Sequence, residues 1–184
     1  MRPIIILCTL LLTQNLLYGQ KKAELDKGFG TLFINQKLRN ISSCLQPITD
    51  AQLWQPNENP LIVTSLHTVD LARFSQKSFF SIPVERIEVF MQHSLNRKGQ
   101  AAGEDIYRFI VYMPAPPEAV YEKLILDLME RYGPVFTTSI HDDGSQSPNW
   151  FTETTLLTVS GENVYCTYKG RKYITANFYQ AYGG

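Results

Sequence analysis

The chain has 184 residues, 44% of them hydrophobic, with 17 basic side chains balanced by 17 acidic ones. That balance argues against nucleic-acid binding, which calls for a basic face and a high isoelectric point; the clustered cations at Lys21-Lys22, Arg97-Lys98 and Lys169 to Lys172 read as a chain terminus and two hairpin turns. The size suits one domain that buries its own core, so no cofactor is expected.

Residues 1–20, MRPIIILCTLLLTQNLLYGQ, differ from everything after them: Arg2, then an Ile- and Leu-rich run from Ile4 to Leu17, then a short polar end. This is the layout of a cleaved signal peptide. A membrane-spanning helix needs roughly 20 predominantly apolar residues, whereas this run is shorter and holds Thr9, Thr13, Gln14 and Asn15. The reading is therefore a secreted or periplasmic protein, with a single domain over 21–184 and no transmembrane segment in the mature chain. Cys8 lies within the apolar run and not at its end, which argues against a lipid-modified N-terminus. Cys44 and Cys166 remain. In an oxidising compartment they can pair, or each can sit alone as a small buried residue, and sequence leaves both open. The common zinc patterns, CxxC and HExxH, are absent from the sequence.

In chain order, Gly28 and Gly30 in KGFGTLF suit a turn and lack the rest of a phosphate-loop pattern. Ile34, Leu38, Ile41 and Leu45 then recur at helical spacing up to Pro47, predicting a short amphipathic helix. Strands are predicted over 61–71, 84–94 and 105–114, the last two joined by the glycine-containing NRKGQAAGE. The clearest helix is PPEAVYEKLILDLMERYGP, 116–134. Pro116 and Pro117 suit its start, Glu118 complements the N-terminal dipole, and Gly133-Pro134 stop it. Tyr121, Leu124, Ile125, Leu128 and Tyr132 form its apolar stripe. After a loop from Val135 to Trp150, strands are predicted over 151–160, 163–169 and 172–180. In the last, Ile174, Ala176 and Phe178 share one face and Tyr173, Thr175, Asn177 and Tyr179 the other. The expected fold is α+β: two helices packed on one face of a predominantly antiparallel sheet. The pattern also suggests two helix-plus-three-strand units, 28–114 and 115–182.

This order of elements, with Glu130-Arg131-Tyr132-Gly133-Pro134 ending the helix ahead of a strand meander, resembles small exported bacterial α+β domains. The outer-membrane assembly lipoproteins of the SmpA/OmlA type and the tandem-repeat beta-lactamase inhibitory proteins are of that kind. The chain departs from the lipoproteins in lacking a lipobox cysteine, and the resemblance carries over no functional residue.

Candidate chemistry is sparse. His141, Asp142 and Asp143 in HDDGSQSPNW offer one imidazole and two carboxylates, ligand types that suit several divalent ions. Adjacent residues seldom all face one ion, so partners such as His67, His93 or Glu153 would be required, and the Asp-Gly dipeptide reads more simply as a polar turn. Ser65, His67 and Asp70 hold the residue types of a catalytic triad without a nucleophile-elbow motif, and read as polar residues on a strand. With ten Tyr, ten Phe and two Trp, some aromatics should remain at the surface; Tyr173, Tyr179, Tyr165 and Trp150 are the candidates for a recognition patch. The expected role is non-catalytic binding of a protein or cell-envelope component through the open sheet face and the 135–150 loop. The alternative is a small secreted metal-dependent hydrolase using His141, Asp142 and Asp143. N-terminal sequencing of the exported protein is expected to start at Gln20 or Lys21; an intact residue 1–19 segment on that material would refute the leader.

Overall fold

Alternating apolar and polar residues decide most of the architecture, because each strand presents one face to a core and the other away from it. The computed structural model describes residues 23–47, 62–95, 101–161, 167–168 and 170–181. The strands are β1 (Leu45–Pro47), β2 (Ile62–Val69), β3 (Ser78–Phe79), β4 (Ile82–Pro83), β5 (Arg86–Leu95) and β6 (Ala101–Pro114), followed after the helix by β7 (Thr137–Ile140), β8 (Gln146–Phe151), β9 (Thr155–Ser160), β10 (Thr167–Tyr168) and β11 (Arg171–Gln180). One sheet runs in the order β1-β2-β5-β6-β11-β9-β8-β7, with β10 paired to β11. Every strand pair among the described residues is antiparallel. Strands β3 and β4 form a separate small hairpin.

The single long helix among the described residues, α1 (Glu118–Tyr132), buries Leu124, Leu128 and Tyr132. These join Ile174, Ala176 and Phe178 of β11, Val111 and Met113 of β6 and Leu157 and Val159 of β9 in one core. Gly133, at φ 94°, ends the helix, and its carbonyl accepts the indole N–H of the buried Trp150 at 2.9 Å. The helix stop is thereby fixed to β8.

The expected first helix does not form. Ile34 to Leu45 instead runs through an extended stretch into two 3-10 turns, Leu38–Asn40 and Ser42–Cys44, before entering β1. The cause is competition from the sheet. Asn35 takes a left-handed φ of 66°, its N–H bonds the carbonyl of Ile106, and the N–H of Ile106 bonds Gln36, all incompatible with a continuous helix. Two helices on a sheet, and two helix-plus-three-strand units, are therefore replaced by a strand-rich fold with one long α-helix, among the described residues, on a broad antiparallel sheet. The 135–150 segment is likewise not a loop but largely the β7–β8 hairpin.

Phenylalanine rings cover the part of the core face that α1 leaves. Phe79, on the β3–β4 hairpin, meets Phe29 at 5.6 Å, Phe80 at 5.2 Å and Phe178 at 6.2 Å between ring centroids. Phe29 also meets Phe74 at 5.7 Å, and Phe178 stacks on Phe109 at 4.4 Å. The close turn that presents Phe29 needs glycine at 28: at φ 68°, a Cβ there would lie 2.0 Å from the Leu32 carbonyl oxygen. Among the described residues no helix is long and apolar enough to cross a membrane.

Replacing the fully buried Phe79 by Ala removes the ring shared by the N-terminal turn, the hairpin and β11. The Phe79→Ala variant is expected to lose about 3–5 kcal/mol in urea-induced unfolding; a loss below about 1 kcal/mol would show that these segments are held independently of it.

Candidate functional site

The sheet face opposite α1 is concave. From β5 to the β7–β8 hairpin it encloses a cleft of about 830 Å³, within the usual range for a ligand site of ~300–1,000 Å³. Its floor is made by the open-face residues of β5, β6, β11 and β9, and Ser139 and His141 at the β7–β8 hairpin form the far wall.

Arg108 of β6 lies near the centre. Its guanidinium carbon is 4.9 Å from the ring centroid of Phe90 on β5 and 4.8 Å from that of Tyr179 on β11. Its Nε donates to Asn177 Oδ1 at 3.1 Å, and Asn177 Nδ2 donates to the Tyr179 hydroxyl at 2.6 Å. The two ring faces and the amide hold the guanidinium plane in one orientation. Among the described residues no carboxylate forms an ion pair with it.

The cleft's buried carboxylate is spent differently. Glu88 pairs with Arg86 through Oε1 and accepts the Tyr112 hydroxyl at 2.6 Å through Oε2. Arg86 also lies 5.5 Å from the Tyr112 ring centroid. Burial, reinforced by the bond to Glu88 and its charge, pushes the Tyr112 phenol well above its ordinary range.

A hydroxyl and amide network completes the far wall. His141 Nε2 lies 2.7 Å from Ser147 Oγ, Ser147 donates to Ser160 Oγ at 3.0 Å, Asn149 Nδ2 donates to Ser139 Oγ at 2.9 Å, and Thr158 donates to Asn149 Oδ1 at 2.7 Å.

The expected binding residues divide. Tyr179 lines the cleft. Tyr173 shares its strand face but is only 9% exposed, set against Tyr112 at 6.1 Å and beneath Arg171 at 5.8 Å. Trp150 is 1% exposed and belongs to the core. Tyr165 lies outside the described residues. Sequence reading missed Arg108, Phe90 and Asn177; the signal was a cation at an open-face position of a strand flanked by aromatic-bearing strands.

The HDDGS stretch is the hairpin tip. Gly144, at φ 78°, bonds back to the His141 carbonyl, and the Asp143 carboxylate accepts the Ser145 N–H at 2.9 Å and its hydroxyl at 2.6 Å. Those two bonds lower the Asp143 carboxyl below its ordinary value. Asp142 is exposed. Among the described residues no group of three or more His, Cys, Asp or Glu side chains is arranged to hold a metal ion. Cys44 is a buried free thiol 3.1 Å from the Ile41 carbonyl, while Cys166 lies outside the described residues. Asp70 bonds the Ala72 N–H at 2.9 Å and pairs with Arg73, away from the Ser65 and His67 with which sequence had grouped it.

No family model matches the chain, and no curated protein or solved structure is significantly similar to it. The site therefore has to be read from its own geometry.

The raised Tyr112 pKa carries a pH signature. An unfolded tyrosine ionises near pH 10, while the folded state holds Tyr112 neutral, so its contribution is complete below that pH and is lost as pH rises through the folded value. Denaturation measured from pH 8 to 11 is expected to show falling stability above about pH 10, with a shallower fall in Tyr112→Phe. Equal slopes in the two proteins would remove the Glu88 and Tyr112 account.

Proposed function

We propose that this chain is an exported protein whose concave sheet face is a non-catalytic binding site, recognising a carboxylate-bearing part of a protein or cell-envelope component. The observation that carries this reading is Arg108: a half-buried guanidinium held between two rings, with no carboxylate partner among the described residues. A cation kept in that state is stabilised by ring faces and one amide, and it leaves N–H groups for a planar anion. The aromatic surfaces of Phe90, Tyr107 and Tyr179 suit the apolar part of such a ligand, and the hydroxyls and amides at Ser139, Thr158 and Asn177 suit its hydrogen-bonding groups. The β7–β8 hairpin, in the segment 135–150, supplies one wall of this surface. The leader-like composition of residues 1–20 supports an exported location, where envelope polymers and exported proteins are the available partners.

The test is a nuclear magnetic resonance titration with acidic peptides and uronic-acid oligosaccharides, each against its amidated or neutral counterpart. Acidic members of one ligand class are expected to shift resonances of Phe90, Arg108, Asn177 and Tyr179. Arg108→Gln should weaken binding by about 10- to 100-fold, the size of one charge-assisted pair. Equal shifts with the neutral counterparts, or an unchanged affinity in Arg108→Gln, would overturn the reading.

A further inference from the structure

On the opposite face of the same sheet, beyond the edge of the core, three neighbouring strands bring together side chains that the cleft does not use. Ser65 of β2 places its Oγ 2.6 Å from Nε2 of His93 on β5 and 3.0 Å from Nε2 of His67. Nδ1 of His93 lies 3.3 Å from Glu104 Oε1 on β6. The register explains the grouping: His93 stands directly opposite Glu104 across β5 and β6, and Ser65, opposite Met91, is its diagonal neighbour from β2.

The hydrogen-bond requirements assign the protons. The Glu104 carboxylate beside Nδ1 of His93 favours the proton on that nitrogen, which leaves a lone pair on Nε2 to accept the Ser65 hydroxyl proton. Ser65 Oγ then accepts the Nε2–H of His67. Burial, followed by the neighbouring His93, lowers the pKa of His67, consistent with a neutral ring in that donor role. Ser65 is 8% exposed, while the side chains of His93 and Glu104 are 14% and 37% exposed, so the cluster is enclosed at the serine and open to water at the carboxylate.

We propose that Ser65, His93 and Glu104 form a nucleophile, base and orienting carboxylate that cleave small carboxylic esters, with His67 donating to the developing oxyanion. As Ser65 Oγ bonds to the ester carbonyl carbon, its proton passes to His93 Nε2. The negative charge on the former carbonyl oxygen forms beside Oγ, within reach of the His67 Nε2–H. The bond to the leaving alkoxide then breaks, and His93 returns the proton to that alkoxide, releasing an alcohol. Water repeats the sequence on the acyl-serine: His93 takes its proton, the ester to Ser65 breaks, and a carboxylic acid leaves with Ser65 restored. The net change is ester plus water to acid plus alcohol. Glu104 orients the imidazole and stabilises its charged form without itself being protonated. With one side-chain donor for the oxyanion and an enclosed serine, the preferred substrates carry short acyl groups and good leaving groups.

The test uses the purified protein with a fluorophosphonate probe and with 4-nitrophenyl acetate, independently of any cleft ligand. One equivalent of probe is expected on Ser65, located by mass spectrometry. Ser65→Ala should abolish both labelling and ester hydrolysis, and His93→Gln should slow both by on the order of 10³-fold or more. Glu104→Gln should lower the rate and move its pH midpoint, and His67→Phe should lower acylation by about 100-fold. Wild-type protein that is unlabelled and inactive on the ester overturns the proposal whatever the variants do. So does hydrolysis that persists in Ser65→Ala, or labelling spread over other residues. Thermal unfolding of each variant separates loss of the relay from loss of the fold.

Discussion

Between Phe90 and Met91 of β5, the neighbouring strand β6 holds one residue more than the ladder can pair: Phe90 stands opposite Arg108, Met91 opposite Ile106, and Tyr107 is the extra residue. Because side chains alternate with a period of two, an inserted residue exchanges the faces of everything beyond it. On one side of the bulge Arg108, Ile110 and Tyr112 line the cleft. On the other, Ile106 and Glu104 follow Met91 and His93 onto the core-side face. Without the insertion, Glu104 would turn to the cleft side and Asp105 would take its place against His93. The same bulge places an aromatic ring beside Arg108 and sets Glu104, in place of Asp105, against His93. Both polar sites depend on it, although they lie on opposite faces of the sheet.

The sheet itself is too broad for its one long helix. An eight-strand path presents more core face than Leu124, Leu128 and Tyr132 can cover, and water would remain against the strands near Ile87 and Val89 unless something else lay there. The turn around Phe29 and the β3–β4 hairpin fill that area with Phe29, Phe74 and Phe79. Phe80, between the two strands of the hairpin, has a φ of 53°, a conformation costing a non-glycine residue roughly 1–2 kcal/mol. Contacts of its ring with Phe79 and Tyr132 offset that cost. Asp26 fastens the same N-terminal segment to the turn before β9 by accepting hydrogen bonds from the Thr152 and Thr154 hydroxyls. The irregular first part of the chain thus serves as the missing second covering layer, which leaves the other face of the sheet open.

Particular residues show what could be read from the sequence. Helix α1 was legible because its apolar stripe lies between unambiguous start and stop residues, and β11 because strict alternation put Ile174, Ala176 and Phe178 opposite Thr175, Asn177 and Tyr179. The stretch from Ile34 to Leu45 has the same kind of spacing, but sheet edge bonds from Asn35 and Gln36 to Ile106 outcompete a short helix, and no local rule reports a tertiary partner. The β7–β8 hairpin was hidden because β7 is exposed on both faces and β8 contains Pro148. That proline is tolerated because the pairing of β8 with β9 covers only Asn149 to Phe151. Tyr179 could be placed on an open face from alternation alone. Arg108 lies at an open-face position by the same alternation, whereas Glu104 could not be assigned, since its face follows from a bulge that leaves no mark in the letters.

The two charges at the centre of the open face differ in how completely they are answered. Glu88 has one oxygen on Arg86 and the other on the Tyr112 hydroxyl, so its charge and its lone pairs are both satisfied within the fold. Arg108 has ring faces and an amide oxygen, which favour the cation without neutralising it. Burial of charge is costly unless it is paired, and the cost falls when water still reaches part of the group, which is the situation of a half-buried guanidinium at a cleft surface. An anion entering the cleft would meet a donor whose orientation is already fixed, so little side-chain entropy would remain to be lost on binding. Because the chain as a whole is neutral, this preference for negative charge is a local property of Arg108 and its aromatic supports and not a long-range field.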